Sequence, residues 1–115
     1  RCQIEIIHEN IPLINHPQMV AIARQAAACV FTDPDAITDN ITIASEDFSE
    51  FSTRVPGVFI FLGAGNEEKG TNRSHHNPRF NIDEDILIKG VAMHIQNAIH
   101  FFNNTAWCEK EVIKT

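Results

Sequence analysis

The sequence predicts an α/β fold, and three observations carry that prediction. A continuous apolar run, Val58-Phe59-Ile60-Phe61-Leu62, is closed by Gly63 and Gly65, as expected of a strand buried on both faces. Two amphipathic segments of helical period flank it at a distance. The order strand, helix, short strand, short helix, strand, loop, helix then suits helices layered on a sheet.

Each element has its own signal. Cys2-Gln3-Ile4-Glu5-Ile6 alternates with the period of a strand, and the sequence around Ile11-Pro12 ends it, because proline lacks the donor a ladder needs. Asn15-His16-Pro17-Gln18 reads as a polar cap with proline in the first turn, so a helix is expected from about residue 16 to residue 30. Its apolar face is Met19, Ile22, Ala23, Ala26, Ala27 and Val30, and the alanines allow a close neighbour. Asp33-Pro34-Asp35 breaks the chain, Ile41-Thr42-Ile43 suits a short strand, and Ser45-Glu46-Asp47-Phe48-Ser49 opens a short helix that ends before Pro56. Asn81-Ile82-Asp83-Glu84 reads as a capping box for the last helix, whose apolar stripe is Leu87, Val91, His94, Ile95, Ala98, Ile99 and Phe102.

With 115 residues, 43% hydrophobic residues and eight phenylalanines, the chain has the content for one ordinary core. The formal charge of −6 comes from scattered acids, and no clustered Lys/Arg stripe is present, so nucleic acid is not an expected partner. Three widely spaced cysteines, Cys2, Cys29 and Cys108, argue against a disulfide framework and for a reducing, cytoplasmic compartment with buried or half-buried free thiols. No apolar run approaches the roughly 20 residues of a membrane helix, so no membrane partner is expected.

The candidate chemistry lies in the long loop from Gly63 to Phe80, at the carboxyl end of the central apolar run, where open α/β sheets bind ligands. His75 and His76 stand there side by side. An imidazole is a common ligand for zinc-type metals, but a solvated loop pair accounts for the two histidines equally well on spacing alone. Gly63 and Gly65 are candidates for presenting bare backbone N–H groups to a substrate carboxylate or oxyanion, and turn-making alone explains them equally. Glu46 and Asp47 are adjacent, point about 100° apart on a helical turn, and are better read as first-turn carboxylates than as a facing acid and base. His94 and His100, six apart, do not share a metal-binding edge. No GxSxG, P-loop or GxGxxG motif is present, which leaves no catalytic residue assigned.

Taken together and in order, Ser45-Glu46-Asp47-Phe48-Ser49, Val55-Pro56-Gly57 with the apolar run to Gly63, His76-Asn77-Pro78-Arg79-Phe80, and Asp83-Glu84 resemble the C-terminal part of metallo-amidohydrolases related to hippurate hydrolase, aminoacylase and indole-acetyl-amino-acid hydrolase. The resemblance implies a phosphorylase/hydrolase-like αβα catalytic domain interrupted by a lid domain that often mediates dimerisation. Residues 1–12 would be the last strand of the lid and its hinge. Residues 13–115 would be the C-terminal segment of the catalytic domain.

The resemblance also implies the chemistry: hydrolysis of small N-acyl amino acids or related amides by water activated on divalent metal ions of the zinc or manganese type. His76 matches the family's last metal ligand, with His75 its spare neighbour, the turn around Gly63 and Gly65 would border the substrate, and Glu46 and Asp47 would line or support the same pocket. The general base and the other metal ligands have no matching position, so the chain alone is expected to hold no metal and to be inactive. A missing N-terminal half and a second copy of the protein are the partners implied. The alternative is a stand-alone non-catalytic module of the same partial fold, acting by binding or self-association.

Overall fold

The structure is a computed structural model, which describes residues 1–6, 11–44 and 46–104. Helix α1 spans Pro17–Val30, a single 3-10 turn follows at Pro34–Ala36, α2 is the one-turn helix Ser49–Ser52, and a 3-10 turn at Glu84–Ile86 runs into α3, Leu87–Asn103.

Helix α1 forms where its sequence directs. Pro17 occupies the first turn, where its missing N–H costs nothing and its fixed φ suits a helix. The six residues expected on its inner face, Met19, Ile22, Ala23, Ala26, Ala27 and Val30, are all buried. Ala26 is fully buried, and with no side chain beyond Cβ it lets α3 approach closely. At the other end, Lys89 of α3 donates its Nζ to the Val30 carbonyl at 3.0 Å and lies over the Phe31 ring. A cation there satisfies one of the orphan carbonyls that every helix C-terminus leaves.

Asn15 does not cap that helix. His16 is the N-cap residue and makes no side-chain cap bond, while the Asn15 amide reaches across to the apolar run. Its Nδ2 donates to the Phe59 carbonyl at 3.0 Å and its Oδ1 accepts from the Phe59 N–H at 2.7 Å. The His16 N–H donates to the Gly57 carbonyl at 2.9 Å beside it. A primary amide presents a donor and an acceptor like a peptide group, so Asn15 imitates a strand neighbour at Phe59.

Among the described residues no β-ladder forms, either in residues 1–6, in Ile41-Thr42-Ile43 or in the Val58 to Leu62 run. The run is only partly covered, with Ile60 and Phe61 exposed, although the Phe59 ring packs edge to face with Phe61 and at a tilt against Phe48. Residues 7–10, Ser45 and all positions from Thr105 onward lie outside the described residues.

Helix α3 corrects the sequence reading. Its period is as expected, but Met93 is the residue it buries, with Ala92 packed beside it on the α1 cluster, His100 half-buried against Cys29 and Gly90 half-buried against Leu62. The stripe Leu87, Val91, Ile95, Ile99 and Phe102 is exposed, as is Ile88. The alanine-rich surface of α1 admits a mixed face, and the more apolar side of α3 is left in water. Its start also differs: Asp83, not Asn81, caps the 3-10 turn that leads into it, accepting from the Asp85 N–H at 3.2 Å, and Ile86 is the N-cap residue of α3 itself.

Candidate functional site

A cleft of about 620 Å³ opens at the end of the apolar run, between the two arms of the long loop. Phe61, Gly63, Gly65, Thr71, His75 and Phe80 are among its walls. The loop is held shut at its base by a polar pin. Asp83 donates its N–H to the Ala64 carbonyl at 2.8 Å, and its carboxylate accepts from Asn66 Nδ2 at 2.7 Å and from Lys69 Nζ at 2.6 Å. Lys69 also bonds Asp85.

This pin shifts the charges that build it. Hydrogen bonds from Lys69 and then Asn66 hold the Asp83 carboxyl below the usual carboxylate range. The Asp83 and Asp85 carboxylates raise the Lys69 ammonium above the usual lysine value. Inside the pin, the Thr71 N–H donates to the Asn66 carbonyl at 2.9 Å and the Asn66 N–H to Thr71 Oγ1 at 3.0 Å, with Gly70 at φ +67° turning the chain between them. Positive φ is the region where glycine carries no Cβ penalty.

Two consecutive turns then present the histidines. The Asn77 N–H donates to the Ser74 carbonyl at 3.3 Å, which places His75 and His76 at the two central positions of the first turn. His76 takes φ +65°, the one non-glycine residue with positive φ among the described residues. In the second turn the Phe80 N–H donates to the Asn77 carbonyl and the Arg79 N–H to Asn77 Oδ1, both at 2.9 Å, with Pro78 fixing the geometry. The outcome for the pair is asymmetric. The His75 ring packs edge-on against Phe80 with centroids 5.1 Å apart and lines the cleft, whereas His76 sits at the turn's apex, exposed and outside the lining.

Gly63 and Gly65 both border the cleft, as expected. Neither is required by crowding: a Cβ on Gly63 would meet nothing within 4 Å, and one on Gly65 would make ordinary contact with Asn72 at 3.6 Å. Glu46 and Asp47 do not line it. Glu46 and Asp47 instead precede α2, whose first-turn acid is Glu50, contrary to the first-turn placement expected; Glu46 Oε1 accepts from the Phe48 N–H at 3.2 Å, and the Glu46 carbonyl accepts from the buried Ser49 hydroxyl at 3.1 Å. Lys69 and Asn66 were missed in the sequence. The only signal for them was a lysine and an asparagine in a loop that returns to Asp83 and Asp85.

Among the described residues, no three of His, Cys, Asp or Glu converge on a point a metal ion would occupy. The described residues thus offer no complete donor set for a metal of the zinc type.

Comparison with known sequences gives the family. The profile described as peptidase family M20/M25/M40 matches residues 1–99. The chain belongs to this family. Thermostable carboxypeptidase 2 of Saccharolobus solfataricus is 32% identical over 107 residues, which cover 89% of this chain and 25% of that protein. Thermostable carboxypeptidase 1 of the same organism is 31% identical over the same length. IAA-amino acid hydrolase ILR1-like 6 of Arabidopsis thaliana is 40% identical over 62 residues, 54% of this chain and 13% of that protein. The resemblance drawn from the ordered motifs is borne out, and the chain spans about a quarter of the length of the carboxypeptidases it matches. No solved structure matches. No helix among the described residues is long and apolar enough to cross a membrane.

Proposed function

We propose that this chain is the C-terminal part of a metal-dependent amidohydrolase that cleaves N-acyl amino acids or related amides, and that alone it neither keeps metal nor hydrolyses substrate. The observation that carries the reading is the uncovered apolar stripe of α3, in a chain a quarter the length of its carboxypeptidase relatives. The amount of exposed surface agrees. The chain exposes 9919 Å², where a compact protein of its mass exposes roughly 6,300 Å². Its radius of gyration is 17.9 Å, against about 13 Å for a compact domain of this size.

In this reading the rest of the protein completes an αβα domain. It supplies strands to pair the Val58 to Leu62 run, cover for α3, the general base and the remaining metal donors. His76 is the donor this chain contributes, exposed at the apex of a turn that Pro78 and Asn77 stiffen. A divalent metal of the zinc or manganese type, when bound, supplies Lewis-acid polarisation of the amide carbonyl and acidifies water. The chain's own residues bind and orient. The Phe61 and Phe80 walls accept an apolar acyl or side-chain group, the bare backbone around Gly63 and Gly65 faces a substrate carboxylate, and His75 borders the same cleft. A reducing, cytoplasmic setting suits the free thiols of Cys2 and Cys29.

The same stripe on α3 also favours the second reading, self-association of a stand-alone module through apolar surface. Sedimentation of the 115-residue chain, alone and after coexpression with the N-terminal three quarters of a related hydrolase, separates the two. The proposed function expects hydrolysis of an N-acyl amino acid in the coexpressed complex only, and hydrolysis by the chain alone would refute it.

A further inference from the structure

Cys29 and His100 are 71 positions apart in sequence, yet Cys29 Sγ lies 3.5 Å from His100 Nε2. Helix packing alone brings them together, at the seam where α1 and α3 cross above the buried Ala26, Val30 and Met93. Cys29 faces solvent, as does Cys2, contrary to the buried or half-buried free thiols expected from the sequence, and His100 is half-buried beside Cys29. Neither residue lines the cleft of the long loop.

A thiol reacts as its thiolate, and an imidazole within hydrogen-bond reach takes the proton as the sulfur attacks. Access completes the requirement: the sulfur is open to solvent while the imidazole is held in place by the helix pair. We propose that Cys29 and His100 form a site of covalent modification by small soft electrophiles such as alkyl halides and α,β-unsaturated carbonyl compounds. Cys29 is the nucleophile and His100 the proton acceptor. With an alkyl halide, a bond forms between Cys29 Sγ and the electrophilic carbon, the carbon–halogen bond breaks with its electron pair leaving on halide, and the thiol proton passes to His100 Nε2. No redox change is involved.

Cys2 provides an internal reference, because it is also exposed but belongs to the segment 1–6 and to neither helix of the pair. The test treats the full 115-residue chain with limiting iodoacetamide at neutral pH and quantifies the adduct at each cysteine by peptide mass spectrometry. Cys29 is expected to react about fivefold faster than Cys2 or more, with the ratio falling towards one in concentrated urea. His100→Gln, which keeps length and polarity, is expected to bring Cys29 down to the rate of Cys2. His94→Gln changes an exposed imidazole on the same helix and is expected to leave the ratio intact, which separates loss of the proton acceptor from any general weakening of α3. Equal rates at Cys29 and Cys2 in the native chain would overturn the proposal. So would a Cys29 rate that is unchanged by His100→Gln, or one that falls as far in His94→Gln.

Discussion

The Asn15 side chain meets both backbone groups of Phe59, donating to its carbonyl at 3.0 Å and accepting from its N–H at 2.7 Å. One half-buried amide thus ties the entry of α1 to the apolar run that leads into the cleft. Asn15→Leu would leave both Phe59 groups without these partners in a part-buried setting, and is expected to destabilise the chain by about 1–3 kcal/mol in urea unfolding. Asn15→Asp keeps the acceptor and loses the donor, so its cost should be smaller.

The pin at the loop's base carries a pH dependence. Asp83 is held below its ordinary range, so the stability it adds is present above the unfolded carboxylate value and is lost as pH falls through the lowered folded value. Lys69 is raised, so its share is present below the unfolded lysine value and lost as pH rises through the raised one. Protection of the amides of residues 66–83, with exchange corrected for its intrinsic pH dependence, should therefore be highest between these two limits and fall on either side. Asp83→Asn should abolish the acid limb.

Ala26 is fully buried under α3. Ala26→Leu would force the two helices apart and is expected to cost about 1–3 kcal/mol, read as a lower midpoint in thermal unfolding. Ile95→Glu, on the exposed stripe of the same helix pair, should leave that midpoint nearly unchanged and reduce self-association of the chain in sedimentation.

His76 holds φ +65°, which costs an L-residue about 1 kcal/mol or more unless the turn compensates. His76→Gly should keep the turn with little change in stability, whereas the β-branched His76→Val should weaken it, seen as faster proteolysis between Ser74 and Phe80.

What the sequence revealed and what it hid divide along physical lines. The inner face of α1 was legible residue by residue, because helical periodicity, a first-turn proline and small side chains all point the same way. The stripe on α3 was legible as a stripe but not as exposed, since periodicity reports which side is apolar and not what covers it. Asn15 misled for a related reason: a polar side chain before a proline reads as a cap, and only tertiary structure shows it reaching Phe59. His75 and His76 were equivalent in spacing, and the positive φ at His76 that sends the two rings apart has no signature in the letters. The Asn66–Lys69–Asp83 pin was hidden because its partners are brought together by loop closure.

The most direct test of the account is metal content, measured by mass spectrometry, of the family-length polypeptide carrying this segment. Variants His76→Ala and His75→Ala would each be compared with the unaltered protein. The account predicts that His76→Ala loses bound zinc or manganese while His75→Ala retains it. Full metal occupancy in His76→Ala would contradict it.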